Sequence, residues 1–275
     1  MRRRCGGSSR ASATSNEGLR PPLRDRVALI TGAGSGIGRC FAEALAGARN
    51  DLVLLDVDAR GLAETAAALS AGIATAVADV ADRPALERVV AQHVAPRGRL
   101  DLLVNCAAIL GPGTWAAQAP EDFERVLRVD LVGTANTIRT TLPWLRAAGG
   151  QVVNLASTAA VHGWPGLAAY SAAKFGVAGY SEAIRPELAL EGIGLTVVFP
   201  LLIDTPLLSR PGTPPILQRG RRIPPAVVVR KVLRAVERRR RRVYVPATVR
   251  LIAALEGVVP SLLDWYGARF GIARR

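Results

Sequence analysis

Seven short aliphatic runs recur along the chain, alternating with longer stretches whose apolar residues fall at helical spacing. The runs are VALIT (27–31), LVLLD (52–56), IATAVAD (73–79), LDLLVN (100–105), QVVNLAS (151–157), GLTVVFP (194–200) and RVYVP (242–246). They are apolar at consecutive rather than alternate positions, as strands covered on both faces are. The helical stretches run to about residue 48 and then over 59–70, 83–95, 121–146, 168–190 and 225–238. Strands separated by helices pair in parallel, because a parallel neighbour requires a long crossover. Right-handed crossovers distribute the helices over both faces, giving an α/β, doubly wound parallel sheet of about seven strands. The 275 residues suit one such domain over 26–246, with residues 201–224, rich in Pro, Gly and Arg, read as a long loop.

The first run ends in TGAGSGIG (31–38), where the first helix opens. The spacing G-x-G-x-x-G fails, since its last position falls on Ile37 or Arg39; T-G-x-x-x-G-x-G fits, with Gly32, Gly36 and Gly38. Missing side chains let the backbone turn tightly against a pyrophosphate, and helix N-terminal N–H groups meet its charge. Thr31, Gly32, Ser35, Gly36, Ile37 and Gly38 are the expected dinucleotide contacts. Asp56 ends the second strand and can accept both adenosine ribose hydroxyls while repelling a 2′-phosphate. Neither Ser35 nor Val57 supplies a cation for that phosphate, so NAD is favoured over NADP. An acid at this position can also cap the ARGLAET helix that follows.

Tyr170 and Lys174 are four residues apart, so on a helix they share a face and their tips converge. Of 36 basic residues only Lys174 and Lys231 are lysine, which points to a need at 174 for an ammonium rather than for charge alone. Ser157 closes the fifth run, at the sheet edge where ligands bind in doubly wound folds.

With these residues the chain resembles the short-chain dehydrogenase/reductase family over about residues 25–246. The matching pieces are T-G-x-x-x-G-x-G, Asp56, Asp79-Val80, Asn105, Ser157, Y-x-x-x-K at 170–174, and P-x-x-x-x-T from Pro200 to Thr205. The resemblance implies a Rossmann-like fold and hydride transfer between NAD(H) and a secondary alcohol/ketone or alcohol/aldehyde. It implies that Tyr170 is the general acid/base and that Lys174 lowers its pKa from about 10 and reaches the nicotinamide ribose. Ser157 would hydrogen-bond the substrate oxygen, and Asp79, Val80, Asn105, Tyr170, Lys174, Pro200 and Thr205 would complete the cofactor contacts. Three positions depart from the family pattern. Asp130, in VDLVG, stands where an Asn usually supports a backbone kink and a water in the proton path, so a fourth catalytic residue here would carry a charge that perturbs the relay. Ala108 and Leu201 each stand where glycine is usual.

The net charge of +14 divides unevenly: +5 over 1–26, −4 over 27–209, +12 over 210–250 and +1 beyond. The domain body is mildly acidic, which argues against a nucleic-acid partner. The run Arg238–Arg242 reads as a solvated helix end or as a patch for anionic lipid or nucleic acid. Apolar residues 247–270 can cover the pocket, join subunits of a homodimer or homotetramer, or rest on a membrane surface. PLLIDTPLL (200–208, with its PPIL continuation) suggests an apolar lid and a hydrophobic alcohol or carbonyl substrate such as a steroid, retinoid, terpene or acyl compound. His162, in AVHGWPG between Ser157 and Tyr170, either touches substrate or sits on a surface loop. Cys5, Cys40 and Cys106 are too scattered for a disulfide framework or a metal site, and a reducing cytoplasm suits them. Residues 1–25 read as a disordered basic extension, although a mitochondrial presequence shares that composition. A rival reading is a dinucleotide-binding regulator acting through its Arg-rich segments, against which the Ser–Tyr–Lys set argues.

Overall fold

The computed structural model describes residues 23–270 apart from 47, 70, 71 and 210; the extension expected at 1–25 lies, up to residue 22, outside the described residues. Strands β1 (Val27–Thr31), β2 (Asp51–Asp56), β3 (Ile73–Val77), β4 (Leu102–Asn105), β5 (Gln151–Leu155), β6 (Gly194–Pro200) and β7 (Arg242–Val245) form one sheet. Every pairing is parallel, in the order β3-β2-β1-β4-β5-β6-β7. The order in which strands are added reverses between β1 and β4, the switch point outside whose C-terminal ends ligands bind in such sheets.

Neighbouring apolar residues of one strand serve opposite layers. Ile30, Leu54 and Val104 pack with Phe41 and Leu45 of α1 (Gly36–Ala46), Leu62 of α2 (Ala59–Ala67), and Val228 and Val232 of α8 (Pro225–Glu237). Leu29, Val53 and Leu103 pack on the other face with Val90 and Val94, which follow α3 (Arg83–Val89), and with Ile138 of α5 (Gly133–Ala148) and Val177 of α6 (Ala168–Leu190). Full burial of a side chain such as Phe41 contributes roughly 1.5–3 kcal/mol, so this two-sided pattern supplies much of the drive to fold.

Two helical stretches are interrupted. The 121–146 stretch is α4 (Pro120–Leu127), a π-helical turn at Arg128–Val132, and then α5; a second π-helical turn, Val90–Val94, follows α3. Segment 201–224 is more ordered than a bare loop: it holds a 3₁₀ turn at Pro206–Ser209, α7 (Pro215–Arg219) and a parallel bridge between Ile203 and Ile223. Its apolar residues require burial, and Leu208 obtains it. Beyond β7, α9 (Val249–Val258) and α10 (Pro260–Phe270) return over the C-terminal ends of the strands. The arginine run sits at the other end of the sheet, before β7. Arg239 donates to the carbonyls of Gly192 and Gly149, 3.0 Å each, and Arg242 pairs with Glu182. Among the described residues no helix is long and apolar enough to cross a membrane.

Candidate active site

The glycine turn needs its glycines for distinct reasons. Gly32 and Gly36 have φ of +66° and +53°, and a Cβ on Gly32 would lie 2.7 Å from the Ala107 nitrogen. A Cβ on Gly38 would lie 2.0 Å from the Gly32 carbonyl oxygen, so only glycine seats α1 on the turn. A groove of about 810 Å³ runs past this turn, lined by Gly32, Ser35, Gly36, Ile37 and Gly38, and by Asp56, Asp79, Val80 and Thr205. Asp56 Oδ2 accepts from the Gly34 N–H at 2.8 Å and Oδ1 from the Asp58 N–H at 3.0 Å. The cap of α2 is Asp58, whose carboxylate accepts from the Arg60 N–H, so Asp56 is left facing the groove. Arg39 and Arg60 also line it, both engaged with Glu64; Arg39 donates as well to the Gly34 and Gly61 carbonyls. A glycine-walled cradle at a helix N-terminus with a carboxylate at its far end fits a dinucleotide.

Two expected contacts are turned away from the groove. The buried Thr31 hydroxyl accepts from the Cys106 and Ala107 N–H groups, 3.2 Å each, tying β1 to the exit of β4. Asn105 is buried between layers: its amide donates to Asn154 at 2.9 Å, and its oxygen accepts from Thr137 at 2.7 Å. Asn154 donates onward to Ser181 at 2.8 Å, so this polar chain locks α5, β4, β5 and α6 together beneath the site. These backbone and amide groups demand partners once buried, and the two side chains supply them.

A second hollow, a cavity of about 530 Å³, adjoins the groove and shares Ile37, Cys106, Ala108, Thr205 and Leu207 with it. Ser157, Tyr170 and Lys174 line its inner end, and Pro200 and Leu201 one wall. Ser157 follows β5 and caps a 3₁₀ turn, Thr158–Ala160; its Oγ accepts from the Ala159 N–H at 3.1 Å, which leaves the hydroxyl proton to be donated. Tyr170 and Lys174 come from the buried face of α6, with the Lys174 ammonium 5.4 Å from the tyrosine ring centroid. Gly176 lets α6 press on the π-helical turn, since a Cβ there would meet Leu131 Cδ2 at 2.7 Å.

That close approach brings Asp130 to Lys174. The Lys174 ammonium donates to the Leu155 carbonyl at 3.1 Å and lies 3.1 Å from Asp130 Oδ2. Asp130 is fully buried; its Oδ1 accepts from the Ile109 N–H at 2.8 Å and its carbonyl from the Thr134 hydroxyl at 2.7 Å. The kink therefore persists with an acid in it. Burial pushes the Tyr170 hydroxyl above its ordinary value; Lys174 opposes this, Asp130 adds to it and Ser157 opposes it. Lys174 acts downward, as expected, but the net direction is upward because burial and Asp130 together outweigh the cation. Burial likewise raises the Asp130 carboxyl against the pull of Lys174. For Lys174 itself burial acts downward, but Asp130 and then Tyr170 hold the ammonium above its ordinary range.

His162 meets neither expectation. It is buried, does not line the cavity, and places Nδ1 2.9 Å from Glu256 Oε2 of α9. Its ring stands edge-on to Trp164 at 4.9 Å, and Trp164 edge-on to Tyr266 of α10 at 6.4 Å. This strut fixes the two C-terminal helices over the cavity, where Ile252, Leu263 and Tyr266 form the roof. Trp164, the roof residues and Glu256 carry no spacing signal in the sequence; the apolar character of 247–270 points to the roof residues alone. Among the described residues no three His, Cys, Asp or Glu side chains are grouped to hold a metal ion.

Residues 26–213 match the family model described as short chain dehydrogenase. The chain belongs to this family. It is 38% identical over 193 residues to the probable oxidoreductase EphD of Mycobacterium tuberculosis, covering 68% of this chain but only 33% of that relative's length. It is 38% identical over 200 residues to human 3-hydroxyacyl-CoA dehydrogenase type-2, covering 68% of this chain and 77% of the relative. Among solved structures, a short-chain dehydrogenase/reductase from Burkholderia phymatum in complex with NAD superposes with a TM-score of 0.79 at 25% identity, over 88% of this chain and 96% of that one. The human relative is named a dehydrogenase, and the Burkholderia structure, which shares this fold, holds NAD. The matched segment stops short of α9 and α10, so the roof lies outside it.

Proposed function

We propose that this short-chain dehydrogenase interconverts an apolar secondary alcohol and its ketone, or an alcohol and aldehyde, with NAD(H) as the preferred cofactor. The observation that carries the reading is the convergence of Ser157, Tyr170 and Lys174 where the dinucleotide groove meets an apolar cavity. In this reading Ser157 donates to the substrate oxygen and holds it beside Tyr170. Tyr170 takes the hydroxyl proton during oxidation and returns it during reduction. Lys174 supports the phenolate and can pass its proton onward, as a guanidinium cannot. A nicotinamide held in the groove would supply or accept the hydride. Ala108 and Leu201, in place of glycines, narrow the junction, and Leu207, Leu217 and the roof exclude water from it. Ser157, Tyr170 and Lys174 apart, the cavity lining is mostly aliphatic, with further hydroxyls on Thr158, Thr205 and Tyr266, which supports a substrate with an apolar body.

Preference for NAD is supported by the Asp56 carboxylate facing the groove while Arg39 and Arg60, on the same groove, are paired with Glu64. A cytoplasmic homodimer or homotetramer is the setting we favour; Phe175 and Leu190, exposed on α6, are candidate subunit contacts. Peripheral membrane contact draws support from Leu251, Val258 and Leu262, exposed on α9 and α10. The arginine run, remote from the cavity and partly bonded to loop carbonyls, gives no support for a nucleic-acid role. The test is parallel titration with NADH and NADPH, followed by nicotinamide fluorescence, and then NAD-dependent oxidation of 2-octanol. Tighter NADH binding and turnover are expected. Tighter NADPH binding would overturn the cofactor assignment, and binding without turnover of any lipophilic alcohol or ketone would overturn the catalytic one.

A further inference from the structure

We infer that Asp130 is a positioning residue: by holding Lys174 in a buried ion pair it sets the pH at which Tyr170 exchanges its proton. The inference rests on the reading of Tyr170 as the acid/base. Asp130 lines neither the groove nor the cavity, so it touches neither ligand. One of its oxygens is fixed by the Ile109 N–H; the other is buried and lies 3.1 Å from the Lys174 ammonium. An ammonium has three protons to donate. Lys174 spends one on the Leu155 carbonyl and aims another side at Asp130, which leaves a reduced share for the site.

A lone ammonium beside Tyr170 would favour the phenolate. A carboxylate on the far side of that ammonium cancels part of its field, and in a buried setting the cancellation is large. The groups that act on Tyr170 are Lys174 on α6, Asp130 on the π-helical turn and Ser157 after β5; the Cys106 thiol after β4, which burial keeps protonated, and Tyr266 of α10 line the same cavity. Asp130 is the one among them that adds a carboxylate charge, and it raises Tyr170. An amide at 130 would keep the bond to the Ile109 N–H and the shape of the kink while removing the charge. Asp130→Asn therefore isolates the electrostatic role from the structural one.

The experiment compares the full-length wild type, Asp130→Asn and Tyr170→Phe. Tyrosinate absorbance is followed against pH without cofactor, alongside the pH profile of kcat/KM for NAD-dependent oxidation of 2-octanol. The absorbance step that Tyr170→Phe removes is the Tyr170 step. It is expected to move down by about one pH unit in Asp130→Asn, and the acidic limb of kcat/KM to move down with it, because oxidation needs the deprotonated form. A wild-type step too high to reach before unfolding, with a step appearing in Asp130→Asn, is the same result. An unmoved or raised step in Asp130→Asn, or none in its folded range, overturns the inference. Turnover that survives Tyr170→Phe overturns the acid/base reading instead, while the absorbance still decides the ion pair's effect. Should Asp130→Asn fold poorly by circular dichroism, Asp130→Ser removes the same charge and carries the same expectation.

Discussion

The dinucleotide groove and the substrate cavity share a wall, yet they are built in opposite ways. The groove is largely a backbone feature: a glycine turn and the ends of β2, β3 and β4 with the Asp56 and Asp79 carboxylates, closed by Thr205 and Leu207, all within the family match. The cavity is a side-chain feature, closed by residues drawn from the loop after Ser157, from 201–224 and from two helices beyond that match. Backbone geometry tolerates little change, because a turn that admits a pyrophosphate has no room for a Cβ. An apolar wall tolerates much, since volume can be exchanged among neighbours. On the proposed reading the seat of the cofactor is thus held fixed on one side, while the choice of substrate is left to distant segments on the other.

The strongest test of that division acts at the seam. Tyr170→Phe should lower kcat by roughly 10²–10⁴-fold while the NADH dissociation constant stays within about twofold, since only the proton-transferring oxygen is lost. A large loss of NADH binding would mean the two hollows are not separable there. Next comes the groove alone. Gly38→Ala forces a methyl group against the Gly32 carbonyl, and strain of about 1–3 kcal/mol predicts NADH binding weaker by roughly 5- to 100-fold. Binding of an apolar ketone such as 2-octanone, read by tryptophan fluorescence quenching, should be unchanged; an equal loss in both would erase the contrast. Asp56→Ser should narrow the preference for NADH over NADPH by about tenfold, the equivalent of 1.4 kcal/mol, without altering substrate KM. An unchanged NADH/NADPH ratio would show that Asp56 serves the glycine turn through Gly34 and does not select the cofactor.

The same contrast explains what could be read from the chain. Strand runs, the glycine spacing and the Tyr170–Lys174 pair are local patterns, and each appears in the fold where its period places it. Direction of a side chain at a strand end is not a local pattern. Thr31 and Asn105 sit beside the turn but point inward, because buried N–H and amide groups of β4 and its exit require them. The π-helical turn at Arg128–Val132 also escapes periodicity, since one extra residue per turn hardly disturbs apolar spacing over 26 residues. The Asp130–Lys174 pair depends on that turn. His162 and Glu256 are 94 residues apart, and nothing short of the fold joins them.

That last pair gives the smallest effect and the most discriminating one. Glu256→Ala removes the partner of His162 and loosens α9 over the cavity, without touching any residue that lines it. The Glu256 side chain is 32% exposed, so the contact ranks with partly solvated pairs worth up to about 1 kcal/mol. A roof loosened by that amount raises KM by at most about fivefold. The increase should fall on substrates long enough to reach Ile252, Leu263 and Tyr266: KM for 2-octanol rises, KM for 2-butanol and the NADH dissociation constant do not. Equal increases for both alcohols would mean that the strut orients Ser157 through its shared loop and not the roof. A change in NADH binding of the same size would mean that the helices beyond the family match hold the groove as well, and the division between fixed chemistry and adjustable substrate choice would have to be drawn elsewhere.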